Sequence, residues 1–426
     1  MSMVPARIVP NGGTLALQLL EQMSFFATLR DWYRGTGASE LEEAEQSLIE
    51  DYQRVHPQQW ENLNLRRFNV NVGHEETETM TFSSTGVFDP ETFRLPSCHI
   101  HTLEVRHDDD DAKEDDEDDV PIVLAHGFGA GAAMYLPVLP QLAKRSGRRV
   151  FALDWLGFGL SARPDWLTRR IRDAETALLA SEHDDDEQLR ESEQIFVEAL
   201  EQWRQRVLGP NKRMILCGHS LGGYLASHYA MRYEHNVEKL VLISPAGVKP
   251  PLSSEQREER LRRLKENVSP LRYYVLRTMQ KVMTQVGSPL EFLRWCPSFI
   301  ARRLVDAYVN GRFTQLNETR EAMRQFVYHT TMQPLSGESV LHVVLDDFAQ
   351  ARRPLLRSLP GLQRPTLFIY GDNDWMEPGA VEPLLESHGD VFSRHIVPQV
   401  GHQVFLNNPR GFLDAMHDFV FARERR

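Results

Sequence analysis

Cysteine is scarce in this chain, with three among 426 residues, at Cys98, Cys217 and Cys296. Three scattered thiols make no disulfide framework, and no Cys-x-x-Cys pair offers a zinc corner; both point to a reducing interior and to no structural metal. Long apolar runs are missing as well. No stretch reaches 18 apolar residues, so no helical membrane span is expected. Bases are rare at the start, where the first thirteen residues hold only Arg7, and a mitochondrial transit peptide finds weak support.

Charge is abundant but unevenly placed. Residues 108–119 hold ten acids and Lys113, a net −9 out of the chain's −12. Such a block of like charge reads as a solvated, disordered loop; a calcium site is the alternative, against which stand the missing EF-hand spacing and glycine. Residues 249–312 run the other way, with thirteen Lys and Arg against six Asp and Glu, a net of +7. Residues 14–33 set Leu15, Leu19, Met23, Phe26 and Leu29 on one helical face, which fits a helix packed on the body or one lying in a membrane interface.

The rest of the chain is organised around Met214 to Ala226, where an apolar run ends in Gly218-His219-Ser220-Leu221-Gly222 and passes straight into a helical pattern. Strand, tight turn and helix in that order lift a serine hydroxyl above a sheet edge, with a helix N-terminus beneath it. The Leu221 N–H then faces any oxyanion formed at Ser220. Upstream, the buried-strand run Pro121 to Ala125 ends in His126-Gly127-Phe128-Gly129-Ala130-Gly131. That turn matches neither phosphate-binding glycine pattern and reads as the other half of an oxyanion hole, with the Phe128 N–H as donor.

Further short apolar runs at 149–154, 239–244, 366–370 and 393–398 alternate with helical patterns, which predicts a mostly parallel sheet covered by helices. Residues 66–72 and 99–105 alternate as an antiparallel opening, after a helix over 38–52 begun by a Ser39/Glu42 capping box. Residues 165–192 read as a polar surface insertion, and 155–164 as a loop shaping the site. From 250 to 360 the pattern is helical, a cap inserted between two strands. The expected division is 1–37 as an N-terminal segment, 38–249 and 361–426 as the two parts of the core with the acidic loop at 107–119, and 250–360 as the cap.

A serine hydroxyl needs a base, and the base an orienting acid. His402, just past the last strand, is the candidate base; His228 lies inside a helix, and His219 points away from its neighbour Ser220. Asp374 is the candidate acid in Gly371-Asp372-Asn373-Asp374, with Asp372 as competitor. The chain order Ser220, Asp374, His402 is the one expected of an α/β-hydrolase.

The motifs HGFGAG, DWLGFGLSARP, GHSLGGYLA, LISPAGV, YHTTMQPLSGE, YGDNDWM and GHQVFLNNP together resemble the lipid-enzyme branch of α/β-hydrolases. That branch holds cardiolipin deacylase-like phospholipases, N-acyl phospholipid lipases and the lipid-droplet lipase co-activator. The resemblance implies a phospholipid or lysophospholipid deacylase working without a cofactor at an intracellular membrane surface, the mitochondrion included, with no nucleic-acid partner. Two rivals accompany it, a lysophosphatidate acyltransferase using acyl-CoA and a non-enzymatic lipase regulator. The co-activator type lacks the serine nucleophile that Ser220 retains here. Many members carry Asp five residues after the catalytic His; this chain has Asn407 there, which counts against the acyltransferase. The cationic cap, with Arg257, Arg260, Arg262 and Arg263, is expected to favour anionic lipids.

Overall fold

The computed structural model describes residues 36–73, 95–108, 120–180, 186–269, 273–274, 288, 290–313, 315–316, 318–346 and 350–421. The amphipathic stretch 14–33 and the acidic run beyond Asp108 lie outside the described residues.

Eight strands make one sheet: β1 (Leu63–Val72), β2 (Cys98–His107), β3 (Ile122–Ala125), β4 (Val150–Leu153), β5 (Met214–His219), β6 (Val237–Ile243), β7 (Thr366–Gly371) and β8 (Phe392–Val397). Their spatial order is β1-β2-β4-β3-β5-β6-β7-β8. β2 runs antiparallel to both its neighbours, and every pair from β4 onward is parallel. The inner strands are short apolar runs because both their faces are covered. Val123, Phe151, Leu216, Leu242 and Phe368 feed one core, and Ile122, Ala152, Cys217, Ile243 and Ile369 the other. That alternation is the period-two pleat of a strand.

The main helices are α1 (Ala38–Val55), α2 (Leu139–Ser146), α3 (Asp165–Ala180), α4 (Asp186–Val207), α5 (Leu221–Arg232), α6 (Ser254–Asn267), α7 (Ser298–Arg312), α8 (Arg320–Thr331) and α9 (Pro409–Phe421). α3, α4 and α5 cover the first core; α1, α2 and α9 cover the second, joined by α7 and α8. Described residues between β6 and β7 are helical or irregular, without a strand of the sheet.

Three sequence expectations give way here. Residues 165–180 and 186–192 are not a surface insertion: Leu167, Ile171, Ala174 and Leu189 are buried in the core, on helical faces that charged neighbours mask in the sequence. α1 has no capping box; its N-cap is Gly37, and the Ser39 hydroxyl donates to Glu40 Oε2 at 3.1 Å. The helical pattern expected over 250–360 is interrupted between Glu291–Trp295 and α7, because Pro297 has no N–H to continue the first helix and disfavours helical backbone at Cys296.

Two ties hold the inserted helices in place. Arg294, fully buried, reaches Glu291 at 2.8 Å, Glu338 at 2.5 Å and the Thr331 carbonyl at 3.1 Å. At the other end of the chain, His329 Nδ1 lies 3.0 Å from Thr36 Oγ1, and Gln333 donates to the Gly37 carbonyl at 2.9 Å. α1 packs closely on α8, and α8 on α7.

Candidate active site

The turn between β5 and α5 places Ser220 at φ 54, ψ −119. A non-glycine residue with positive φ costs about 1–3 kcal/mol and persists only where its surroundings enforce it. Here the enforcement is dense. The Ser220 N–H donates to the Ile243 carbonyl at 2.9 Å, and its own carbonyl accepts from Gly223, Tyr224 and Ala246. The turn is also crowded: a Cβ at Gly222 would meet the His126 carbonyl at 2.2 Å, and one at Gly127 would meet Ser220 Cβ at 2.9 Å. Glycine at these two positions is what lets the loop after β3 lie directly against the serine.

That loop is pinned from behind. His126 Nδ1 lies 2.7 Å from the Gly127 carbonyl, its Nε2 accepts from the Trp155 N–H at 3.2 Å, and burial pushes its pKa down, so the ring is neutral. Trp155 Nε1 donates to the His126 carbonyl at 3.0 Å. Asp154 takes the Ala132 and Leu160 N–H groups at 2.7 Å each. The segment 155–164 shapes the site by gripping this loop. Phe128 and Leu221, the two expected oxyanion donors, line the same cavity as Ser220. Neither of their N–H groups is taken by a backbone acceptor among the described residues.

His402 follows β8 and faces the same cavity. Its Nδ1 lies 3.1 Å from Asp374 Oδ1. Burial raises the pKa of the Asp374 carboxyl, but the hydrogen bond and charge of His402, with help from Ser244 and the Met376 N–H, outweigh it and hold the group ionised. Asp372, the competitor, is exposed and holds the turn instead, accepting the Val400 N–H at 3.0 Å. The structure thus brings Ser220, His402, Asp374, Phe128 and Leu221 to the carboxyl ends of β3, β5, β7 and β8.

The sequence reading sets His219 aside as facing away from Ser220, and the structure places it beside His402. His219 lines the same cavity as Ser220, and its Nε2 lies 3.1 Å from the His402 carbonyl, with the two rings 4.8 Å apart. Burial and then the charge of His402 push its pKa down to about 3, so it stays neutral and donates to that carbonyl.

The cavity above Ser220 has a volume of about 310 Å³ and a mostly apolar wall that includes Tyr308, Leu341, Leu345 and Met376. Trp375 stands at its edge, its ring 5.0 Å from that of His402.

Among the described residues, one group has ligand atoms close enough for a metal: Glu45, His101 and Asp154, all within 4.8 Å of one another. Their bonding fits an ion-pair network better. His101 Nε2 sits 2.9 Å from Glu45 Oε2, and both Asp154 oxygens already accept backbone N–H groups. Burial lowers the pKa of His101, yet the charge and hydrogen bond of Glu45 prevail and hold it above its usual value. The cluster ties α1 to the sheet.

A model of the alpha/beta hydrolase fold matches residues 120–409. A 1-acylglycerol-3-phosphate O-acyltransferase of Arabidopsis thaliana is 33% identical over 312 residues, covering 69% of this chain and 65% of that protein. This chain therefore spans just under two thirds of that relative. A (lyso)-N-acylphosphatidylethanolamine lipase of Mus musculus is 29% identical over 299 residues, 70% of this chain and 78% of the lipase. A Sus scrofa protein named 1-acylglycerol-3-phosphate O-acyltransferase ABHD5 is 30% identical over 302 residues, 69% of this chain and 75% of its own. With the sheet order, the elbow and these relatives in view, the chain belongs to the α/β hydrolase fold family, in its branch of lipid enzymes.

Proposed function

We propose that this protein is a serine hydrolase that removes an acyl chain from a phospholipid or lysophospholipid through an acyl-enzyme. The observation that carries this reading is Ser220, held at positive φ on the floor of an apolar cavity that His402 also lines, with Asp374 behind the imidazole.

With Nδ1–H directed at Asp374, the His402 imidazole keeps Nε2 free to take the Ser220 proton as Oγ attacks the ester carbonyl. The carbonyl oxygen becomes an anion, received by the N–H groups of Phe128 and Leu221. Collapse of the tetrahedral adduct breaks the ester C–O bond, and the imidazolium returns its proton to the departing alcohol. Water, deprotonated by His402, then attacks the acyl-serine and frees the fatty acid and Ser220.

Support for a lipid comes from the apolar cavity wall and from the surface leading to it. Phe299, Ile300 and Leu304 are exposed on α7, which also carries Tyr308 of the wall, and Phe292 and Trp295 are exposed on the short helix Glu291–Trp295 before it. Such a stripe suits peripheral docking on a membrane, the aromatic rings lying at headgroup level. Among the described residues no helix is long and apolar enough to cross a membrane. The sparse cysteines agree with an intracellular surface.

Acyl transfer is the second reading, favoured by the names of the Arabidopsis and Sus scrofa relatives. Against it stands Asn407, the last residue of the short helix Val404–Asn407, where the resemblance expects Asp.

One experiment with two arms tests both. Ser220→Ala should abolish fluorophosphonate labelling and lower fatty-acid release by about 10⁴-fold or more while folding normally. Release from phospholipid should need no CoA, and acyl-CoA with lysophosphatidate should yield little phosphatidate. Lipolysis by Ser220→Ala at the parent rate would falsify the mechanism; transfer as fast as hydrolysis would favour the second reading.

A further inference from the structure

A second, smaller cavity adjoins the first across Trp375 and Met376, which line both. Its volume is about 100 Å³, and its wall is polar, with Lys249, Arg260 and Glu377 around it. The partition suits an amphiphile. One side of the Trp375 indole faces an apolar space over Ser220, and a charged space lies beyond it.

The sequence marks four arginines of α6 as a cationic surface, but three of them are committed. Arg257 reaches Asp346 Oδ2 at 2.7 Å; Arg262 and Arg263 both pair with Glu259. Arg260 lines the smaller cavity, and no ion pair holds it among the described residues. Lys249 is steered into the same space by an ion pair with Glu377. Glu377 holds that position with φ 54, a left-handed backbone for a side-chain-bearing residue, three residues after Asp374. Two cations against one carboxylate leave the cavity with a net +1, which favours a phosphate-bearing ligand over a neutral one. Arginine and lysine are the side chains that bind phosphate oxygens through charge-assisted hydrogen bonds.

We propose that the Lys249–Arg260 cavity is the headgroup subsite, binding the phosphate of a lipid whose acyl ester lies over Ser220. The proposal rests on the hydrolase reading of Ser220 and deepens it. In a lysophospholipid the ester and phosphate are separated by a glycerol unit, and here one indole separates the two cavities. Trp375 then packs on the glycerol, Arg260 and Lys249 clasp the phosphate, and Glu377 stands where a headgroup amine would meet it.

The test compares a short-chain lysophosphatidate with the matching monoacylglycerol, both monomeric so that membrane binding plays no part. Arg260→Gln should lower kcat/KM for lysophosphatidate about tenfold, the scale of one charge-assisted hydrogen bond, and leave monoacylglycerol hydrolysis unchanged. Lys249→Gln should act in the same direction, and Arg260→Lys should restore part of the loss. Equal losses on both substrates, or none on either, overturn the subsite. Failure of the hydrolase reading looks different: the parent would cleave neither ester, or Ser220→Ala would cleave both.

A binding readout decides the subsite independently of turnover. Glycerol 3-phosphate should change tryptophan fluorescence saturably in the parent, and the change should vanish in both Arg260→Gln and Trp375→Phe. No saturable change in the parent, or the parent's response in Arg260→Gln, overturns the proposal. Inorganic phosphate competing with glycerol 3-phosphate supports a phosphate subsite as such. Competition by CoA alone would assign the cavity to an acyl donor and overturn the headgroup role.

Discussion

Two aspartates stand two residues apart after β7, and only Asp374 meets the imidazole; Asp372 is spent on the Val400 N–H. Asp374→Asn should therefore lower kcat by about 10³–10⁴-fold with KM little changed, since the amide would favour the wrong imidazole tautomer. Asp372→Asn should leave kcat within about threefold of the parent, because its role is in the turn. Steady-state kinetics on the two purified variants separate them, and a reversed ranking would move the acid to Asp372. The choice was legible from spacing alone, since Gly-x-x-Asp after a strand is a local signal. His219 was not legible. Its partner is a backbone carbonyl 183 residues away, and nothing in the neighbouring sequence announces such a contact.

At the scale of elements, the parallel strands were the readable part. Burial on both faces turns each into an unbroken apolar run, and a glycine or proline ends it. α3 and the first turns of α4 were not readable, because charged residues alternate with the few apolar ones that reach the core. α4 also buries a charge. Glu193 accepts the Tyr224 hydroxyl at 2.5 Å and Arg353 at 2.7 Å, with His228 Nε2 3.3 Å away. Burial drives its pKa up to about 7 against the pull of Arg353. Between the ordinary glutamate range and that value the native state keeps a proton that the unfolded chain has lost. Stability gained from Glu193 is therefore complete at low pH and declines as pH rises toward 7. Glu193→Gln should flatten this slope in urea melts taken from pH 4.5 to 8. An unchanged slope would show that Arg353 keeps the carboxylate ionised throughout.

At the scale of the whole molecule, most of the exposed large apolar side chains among the described residues lie on the inserted helices. Trp295 and Phe299 are 57% and 59% exposed, so their removal should barely alter folding. The pair Trp295→Ser and Phe299→Ser should reduce partition onto phospholipid vesicles about tenfold or more, given about 1.5–3 kcal/mol for burying such a side chain. Melting temperature and hydrolysis of a small soluble ester should stay at the parent's level. Vesicle flotation alongside the ester assay measures both, and undiminished flotation would remove this stripe from the membrane contact.

The hydrogen bonds that Thr36 and Gly37 make bear on this arrangement. They run to His329 and Gln333, and so fasten the leading end of the described chain to α8 and the turn that follows it. α8 leans on α7, which carries Tyr308 and Arg312 to the wall of the cavity over Ser220. A shift at Thr36 and Gly37 therefore has a path to the mouth of the cavity through α8 and α7, beside the path to the sheet that Glu45 and His101 provide.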